Sequence, residues 1–257
     1  MANPRVHLFI DNSNIFISAK DEAEKREGRP ARAQVRLQFE HLVELAVASR
    51  DLGNVCVVGS IPPEQKAVWD RLERAAGIKP ELYERGGVTG GEQGLDQCLQ
   101  VHMLRAISDH SDPQIAVLMT GDGAGYDDGV GFHADMERMH DAGWAVEVIS
   151  WRTHCRRALR DWSTANGVFV ALDDHYEAVT FLEGVRAAKK LDLSARAVAH
   201  PRLSPAQVAE QKARLESQAK IAELQRQLKE LQDAEAKKEK AKAKYDKRYA
   251  RGGRKGV

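Results

Sequence analysis

No stretch of this chain is long and apolar enough to cross a bilayer, since a run of about 18 apolar residues occurs nowhere in it. Cysteine is scarce. Cys56, Cys98 and Cys155 are far apart and odd in number, which argues against a disulfide framework and against a cysteine-only zinc site. The first residues, MANPRVHLFIDNSN, pass from a short apolar run straight into polar ones, so the layout of a secretory signal is missing. Gly86 to Gly94 is glycine-rich, but no Gly-Lys-Ser/Thr follows it, which excludes a Walker-type phosphate loop. These absences predict a protein of a reducing, cytoplasmic compartment with no membrane partner.

Net charge is also small, at +1, but it is unevenly spread. Residues 237–257 hold ten Lys/Arg against Glu239 and Asp246, a balance of +8, so residues 1–236 carry −7. A basic tail on an acidic body suits contact with a polyanion. A solvated tail without a partner is the alternative.

What is present is an alternation of strand and helix signals. Val6–Ile10 is a buried-strand run that stops at Asp11. Val35 to Val47 places Val35, Phe39, Leu42, Val43 and Ala46 on one helical face. Val55 to Gly59 reads as a strand, Pro62 to Gly77 as a helix, and Lys79 to Arg85 as a weaker strand. A helix carrying Leu95, Leu99 and Met103 leads to a strand at Ile115–Met119. Beyond it the spacing predicts a helix at His133–Asp141, a strand at Trp144–Ile149 and a helix at Thr153–Thr164. A strand at Val168–Leu172 and a last helix from Asp173 or Asp174 to Gly184 complete the series. Such alternation implies an α/β fold, a mostly parallel sheet covered by helices on both faces. Past residue 186 strands disappear. Ile221, Leu224, Leu228 and Leu231 step at three- and four-residue intervals, as a short coiled-coil seam or a lone charged helix would. The expected layout is a domain over 1–186, a linker over 187–205, a charged helical extension over 206–249 and a basic tail over 250–257.

Three aspartates occupy equivalent places. Asp11 and Asp122 follow apolar strands, and Asp96 lies in the first turn of the helix before the second of these. If the strand order is 3-2-1-4-5, Asp11 and Asp122 end neighbouring strands where the order reverses, the usual ligand crevice of open α/β sheets. Gathered carboxylates repel unless a divalent cation compensates them, and their hard oxygens suit Mg2+ or Mn2+. Taken singly, each aspartate also reads as a turn former or a first-turn helix acid. Arg26, Arg29, Arg32 and Arg36 form a basic stretch suited to phosphates, or to solvent. Tyr126 and Trp151 are aromatic candidates for base stacking or for packing. His133 either lines the cleft or is structural.

The motifs Phe9-Ile10-Asp11-Asn12-Ser13-Asn14-Ile15, Gly94-Leu95-Asp96, Val117-Leu118-Met119-Thr120-Gly121-Asp122-Gly123 and Gly143-Trp144-Ala145-Val146-Glu147-Val148 stand in this order. Over residues 5 to 175 the chain resembles the NYN branch of PIN-like nucleases. The resemblance implies a PIN-like, Rossmann-like fold and metal-dependent hydrolysis of RNA. It implies Asp11, Asp96 and Asp122 as the catalytic, Mg2+- or Mn2+-binding acids, with Asn14 and Thr120 as supporting or phosphate-contacting residues. Arg29 and Arg32 are the candidate RNA contacts. One departure is at Ala124, where the family often has a further acid. Asp127 or Asp128 as a replacement, a three-acid site, and an inactive RNA-binding scaffold all stay open. A phosphatase on a related fold is a third reading. The C-terminal helix is the candidate surface for self-association or a protein partner.

Overall fold

The computed structural model describes residues 3–61, 70, 73, 81–84, 93–120, 129–202, 213 and 216–229. The main sheet is built from β1 (Val6–Asp11), β3 (Leu52–Ile61), β4 (Glu81–Glu84), β5 (Ile115–Met119), β6 (Ala145–Ser150) and β7 (Val168–Ala171). Its order is β4-β3-β1-β5-β6-β7, and every pairing is parallel. The chain therefore builds outward from β1 on one side, returns, and builds outward again on the other. Strands buried on both faces need near-continuous apolar sequence, which the runs at Val6, Ile115 and Ala145 supply.

Two apolar layers flank the sheet. On one face Leu8, Ile10, Val57, Val117 and Ile149 pack under α1 (Asn12–Glu27) and α3 (Phe39–Val47). Ala19 and Ala23 of α1 are fully buried, so this helix approaches the sheet closely through small side chains. On the other face Phe9, Cys56, Leu118 and Val148 pack under α4 (Gln93–Asp109), α5 (Phe132–Asp141) and α6 (Arg157–Asn166). The result is the α/β fold expected from the alternation, with helices on both faces.

Three local expectations are corrected. The segment from Val35 is not helical at its start. After a short helix α2 (Ala31–Gln34), Val35–Leu37 forms β2, antiparallel to β8 (Thr180–Leu182). Val35 and Leu37 are buried with Arg36 between them, a period of two that a window fitted to 3.6 overrides. The helix expected from Thr153 starts at Arg157, because Trp151 is fully buried with its indole N–H donating to the Ile15 carbonyl, 2.9 Å. The backbone of 151–155 turns there instead, with Cys155 N–H on the Trp151 carbonyl. The helix expected from Asp173 to Gly184 is a 3-10 turn (Leu172–His175), one helical turn α7 (Tyr176–Val179) and β8. The Pro62–Gly77 helix and the loop at Gly86–Gly94 lie largely outside the described residues.

The chain divides into two compact units, Met1–Arg202 and Leu203–Val257. Residues 187–202 run without helix or strand over the first unit, and their anchor is a buried ion pair. Glu147 of β6 is completely buried, and Arg50 donates to both its carboxylate oxygens, at 2.6 and 3.0 Å. Arg196, itself 1% exposed, and the Ala199 N–H complete the shell. In the second unit residues 216–229 are helical, with Ile221, Leu224 and Leu228 exposed.

At the other end of β1, His7 is buried against His110 and Trp144, with ring centroids at 4.6 and 5.1 Å. Burial, with His110 and Arg5 adding to it, lowers its pKa from 6.5 to about 4.

Two predictions follow from these buried groups. Removing Glu147 (Glu147→Ala) strands two guanidinium groups, and unfolding in urea is expected to show a loss of about 3–5 kcal/mol. His7 stays neutral in the folded chain while the unfolded chain takes up its proton from about pH 6.5 downward. Stability is therefore expected to fall as pH drops from about 6.5 to 4, by roughly 3 kcal/mol from this group. His7→Phe removes that slope, as pH-dependent denaturation midpoints would record.

Candidate active site

β1 and β5 are hydrogen-bonded neighbours at the point where strand order reverses. The helix after β1 leaves toward one face and α5, which follows β5, lies on the other. The carboxyl ends of the two strands consequently open between diverging chains, and ligands bind there in this class of sheet. Asp11, the last residue of β1, is 3% exposed and occupies this point.

The Asp11 carboxylate is tightly oriented. It caps α1, its Oδ1 accepting from the Asn14 N–H at 3.2 Å. Its Oδ2 accepts from the Asn14 side-chain amide and from the Thr120 hydroxyl, the latter at 3.3 Å. These donors aim the carboxylate. Register extends the picture. Ile10 pairs with Met119 and Met119 with Ile149, so Asp11, Thr120 and Ser150 stand side by side at the carboxyl edge. All three lie two residues beyond Phe9, Leu118 and Val148, and so share the face covered by α4 and α5.

This edge is polar and buried at once. Thr120 and Ser150 are fully buried, and Asn12 and Ser13 nearly so. Among the described residues, Ser150 Oγ, Ser13 Oγ and Asn12 Oδ1 have no hydrogen-bond partner. Native folds seldom leave such groups unpaired outside functional sites. One carboxylate among hydroxyl and amide oxygens is a hard donor set, and it fits Mg2+ or Mn2+.

Asp96 lies in the first turn of α4 and is exposed. Since α4 runs antiparallel to the strand that follows it, this first turn sits at the carboxyl edge, on the Asp11 face. Asp122, Asp127, Asp128 and Tyr126 lie outside the described residues. Arg29 and Arg32 are not brought to Asp11. They follow α1, whose 16 residues carry the chain roughly 24 Å from its cap. The Arg32 guanidinium is held by Asp21 and Glu24. Neighbouring Arg26 pairs with Glu22 and Arg36 with Glu183. Trp151 is a packing residue, as its burial requires. His133 is buried edge-on to Trp162, and burial lowers its pKa.

Several residues escaped the sequence reading. Ser150 ends an apolar strand just as Asp11 does, and the same criterion applied to a hydroxyl would have found it. Arg152, Arg156 and Arg157 follow it directly and are exposed, at the carboxyl edge of β6. Asp135, in the first turn of α5, is 2% exposed, and burial raises its carboxyl pKa against the opposing pull of Arg138 and Gln100. No sequence signal marks its burial. Cys56, Glu81, Cys98 and His102 gather elsewhere under α4.

Comparison with known proteins adds a family. The model of the NYN domain matches residues 5–171. No curated protein matches. A crystal structure of a Vibrio parahaemolyticus protein of unknown function is similar, at 15% identity and a TM-score of 0.49, over 68% of this chain and 97% of that one.

A buried hydroxyl without a partner costs stability, so replacing Ser150 with Ala is expected to leave stability unchanged or raise it by about 1 kcal/mol. A loss of more than about 1 kcal/mol in urea unfolding would show instead that Ser150 is a structural hydrogen-bonding group.

Proposed function

The chain belongs to the NYN domain family, a family of nuclease-type hydrolases, and from that premise we propose that it is a metal-dependent endoribonuclease acting at the Asp11 edge. The observation that supports this most is the buried Asp11 carboxylate, aimed by Asn14 and Thr120, at the reversal of strand order. Asp11, Asp96 and Asp122 are the residues that would hold Mg2+ or Mn2+, with Asp127 or Asp128 as the candidate replacement for the acid missing from the sequence at Ala124. When bound, such an ion supplies Lewis acidity and a more acidic water.

The remaining roles belong to the chain itself. Donation from Asn14 and Thr120 fixes the direction of the Asp11 carboxylate. The Ser13 and Ser150 hydroxyls are free to donate to a phosphate oxygen. Exposed Arg156 offers a forked donor to a phosphate flanking the scissile bond, while Arg152 and Arg157, paired at the surface with Asp174 and Asp161, would have to exchange those partners for phosphate. Arg29 and Arg32 would reach only nucleotides remote from it. The basic segment 237–257 adds affinity of a sequence-independent, salt-sensitive kind. The exposed stripe of Ile221, Leu224 and Leu228 suits self-association through a short helical seam.

The test is cleavage of end-labelled single-stranded RNA. Cutting is expected with Mg2+ or Mn2+, to stop with chelator, and to fall by about a hundredfold or more in Asp11→Asn and in Asp122→Asn. Undiminished cutting by both variants would remove the mechanism. Salt-sensitive binding without cleavage under either metal would identify an RNA-binding scaffold instead. Arg156→Glu with Arg157→Glu is expected to weaken binding and flatten its salt dependence.

A further inference from the structure

Four side chains from three elements converge on the far side of β3 from α1. Cys56 comes from the middle of β3 and is buried. Glu81 opens β4, its backbone paired with Val58. Cys98 and His102 are one turn apart on α4, so both project from the same face of that helix. One ligand atom from each lies within 4.8 Å of the others. Glu81 already bridges two of them, accepting from the Cys98 thiol at 3.0 Å and contacting His102 Nε2 at 2.9 Å.

We propose that Cys56, Cys98, His102 and Glu81 form a structural Zn2+ site, separate from the Asp11 edge. Two sulfurs, one imidazole nitrogen and one carboxylate oxygen match zinc, whereas magnesium and manganese take oxygen ligands. Tetrahedral zinc with bonds of about 2.0–2.3 Å sets ligand atoms roughly 3.3–3.8 Å apart. The widest pairs thus need to close by no more than about 1.5 Å and the Glu81 contacts to open slightly, which side-chain rotation provides. On loading, Zn–S bonds replace the S–H bonds of Cys56 and Cys98, and the protons pass to solvent. Neutral His102 coordinates through Nε2, and one Glu81 oxygen fills the fourth position. All four ligands come from the protein, which marks a closed, structural site.

Its consequence is mechanical. Among the described residues β4 has a sheet partner on one side, β3, and zinc would staple it to β3 and to α4. Cys98 lies two residues beyond Asp96, so the same staple would fix the helical turn that carries that acid. The inference stands on this geometry alone and does not depend on RNA cleavage.

The experiment uses the full chain, expressed without a histidine tag in zinc-supplemented medium and purified without chelator. Elemental analysis is expected to find about one zinc per chain, and reconstitution with Co2+ to give thiolate charge-transfer and tetrahedral ligand-field absorption. His102→Ala and Cys98→Ser are expected to lose the zinc and the Co2+ spectrum, while Asp11→Asn keeps both. If Cys98→Ser fails to fold, the half-exposed His102→Ala carries the comparison. Zinc absent from the parent protein even after Zn2+ is added would overturn the proposal. So would a Cys56–Cys98 disulfide in that protein, or full zinc retention in His102→Ala with Cys98→Ser.

Discussion

The adjacency of β1 and β5 governs this molecule. These two central strands are parallel and the helices that follow them lie on opposite faces, so the chain diverges at their carboxyl ends. An open sheet of this kind carries a crevice by construction. Asp11, Thr120 and Ser150 sit on the crevice edge through register alone. Shifting β5 by one residue against β1 would turn Thr120 to the opposite face and break its hydrogen bond to Asp11.

Two buried carboxylates on this sheet illustrate different solutions to the same electrostatic cost. Glu147 is enclosed by Arg50 and Arg196, and the arrangement ties residues 196–199 to β6. Such a pair is a structural clasp, since breaking it leaves charge stranded in the core. Asp11 instead takes its hydrogen bonds from the Asn14 amide groups and the Thr120 hydroxyl. Those donors hold the direction of the carboxylate. The cluster at Cys56 differs again in its softer sulfur donors, so one chain would separate two metals by donor chemistry.

Asp96 links the two regions. It sits on the Asp11 face at the first turn of α4, and the thiol and imidazole of Cys98 and His102 follow within the next two turns. α4 also covers the apolar face formed by Phe9, Cys56 and Leu118 through Leu99 and Met103. Packing, the thiol cluster and the acidic edge thus bear on a single helix, and any force that moves it reaches Asp96.

The strands of the main sheet were legible because apolar runs that end at Asp11, Gly59, Thr120 and Trp151 carry their own boundaries. Asp11 at the carboxyl end of β1 was legible for the same reason, as a polar residue ending such a run. Pairings across long separations were not: β2 meets β8 over some 145 residues, and no local window contains both. Cys56 and Cys98 read as distant thiols, yet β3 and α4 set them together. Arg29 and Arg32 read as candidate RNA contacts from their charge alone, and the length of the helix between them and Asp11 is what sets their distance from it. Local sequence alone determined which segments become strands and helices and which residues end them, because backbone preference and apolar periodicity act over a few residues. Only the tertiary structure decided which of those ends face one another, because burial and register act between segments that the chain holds far apart.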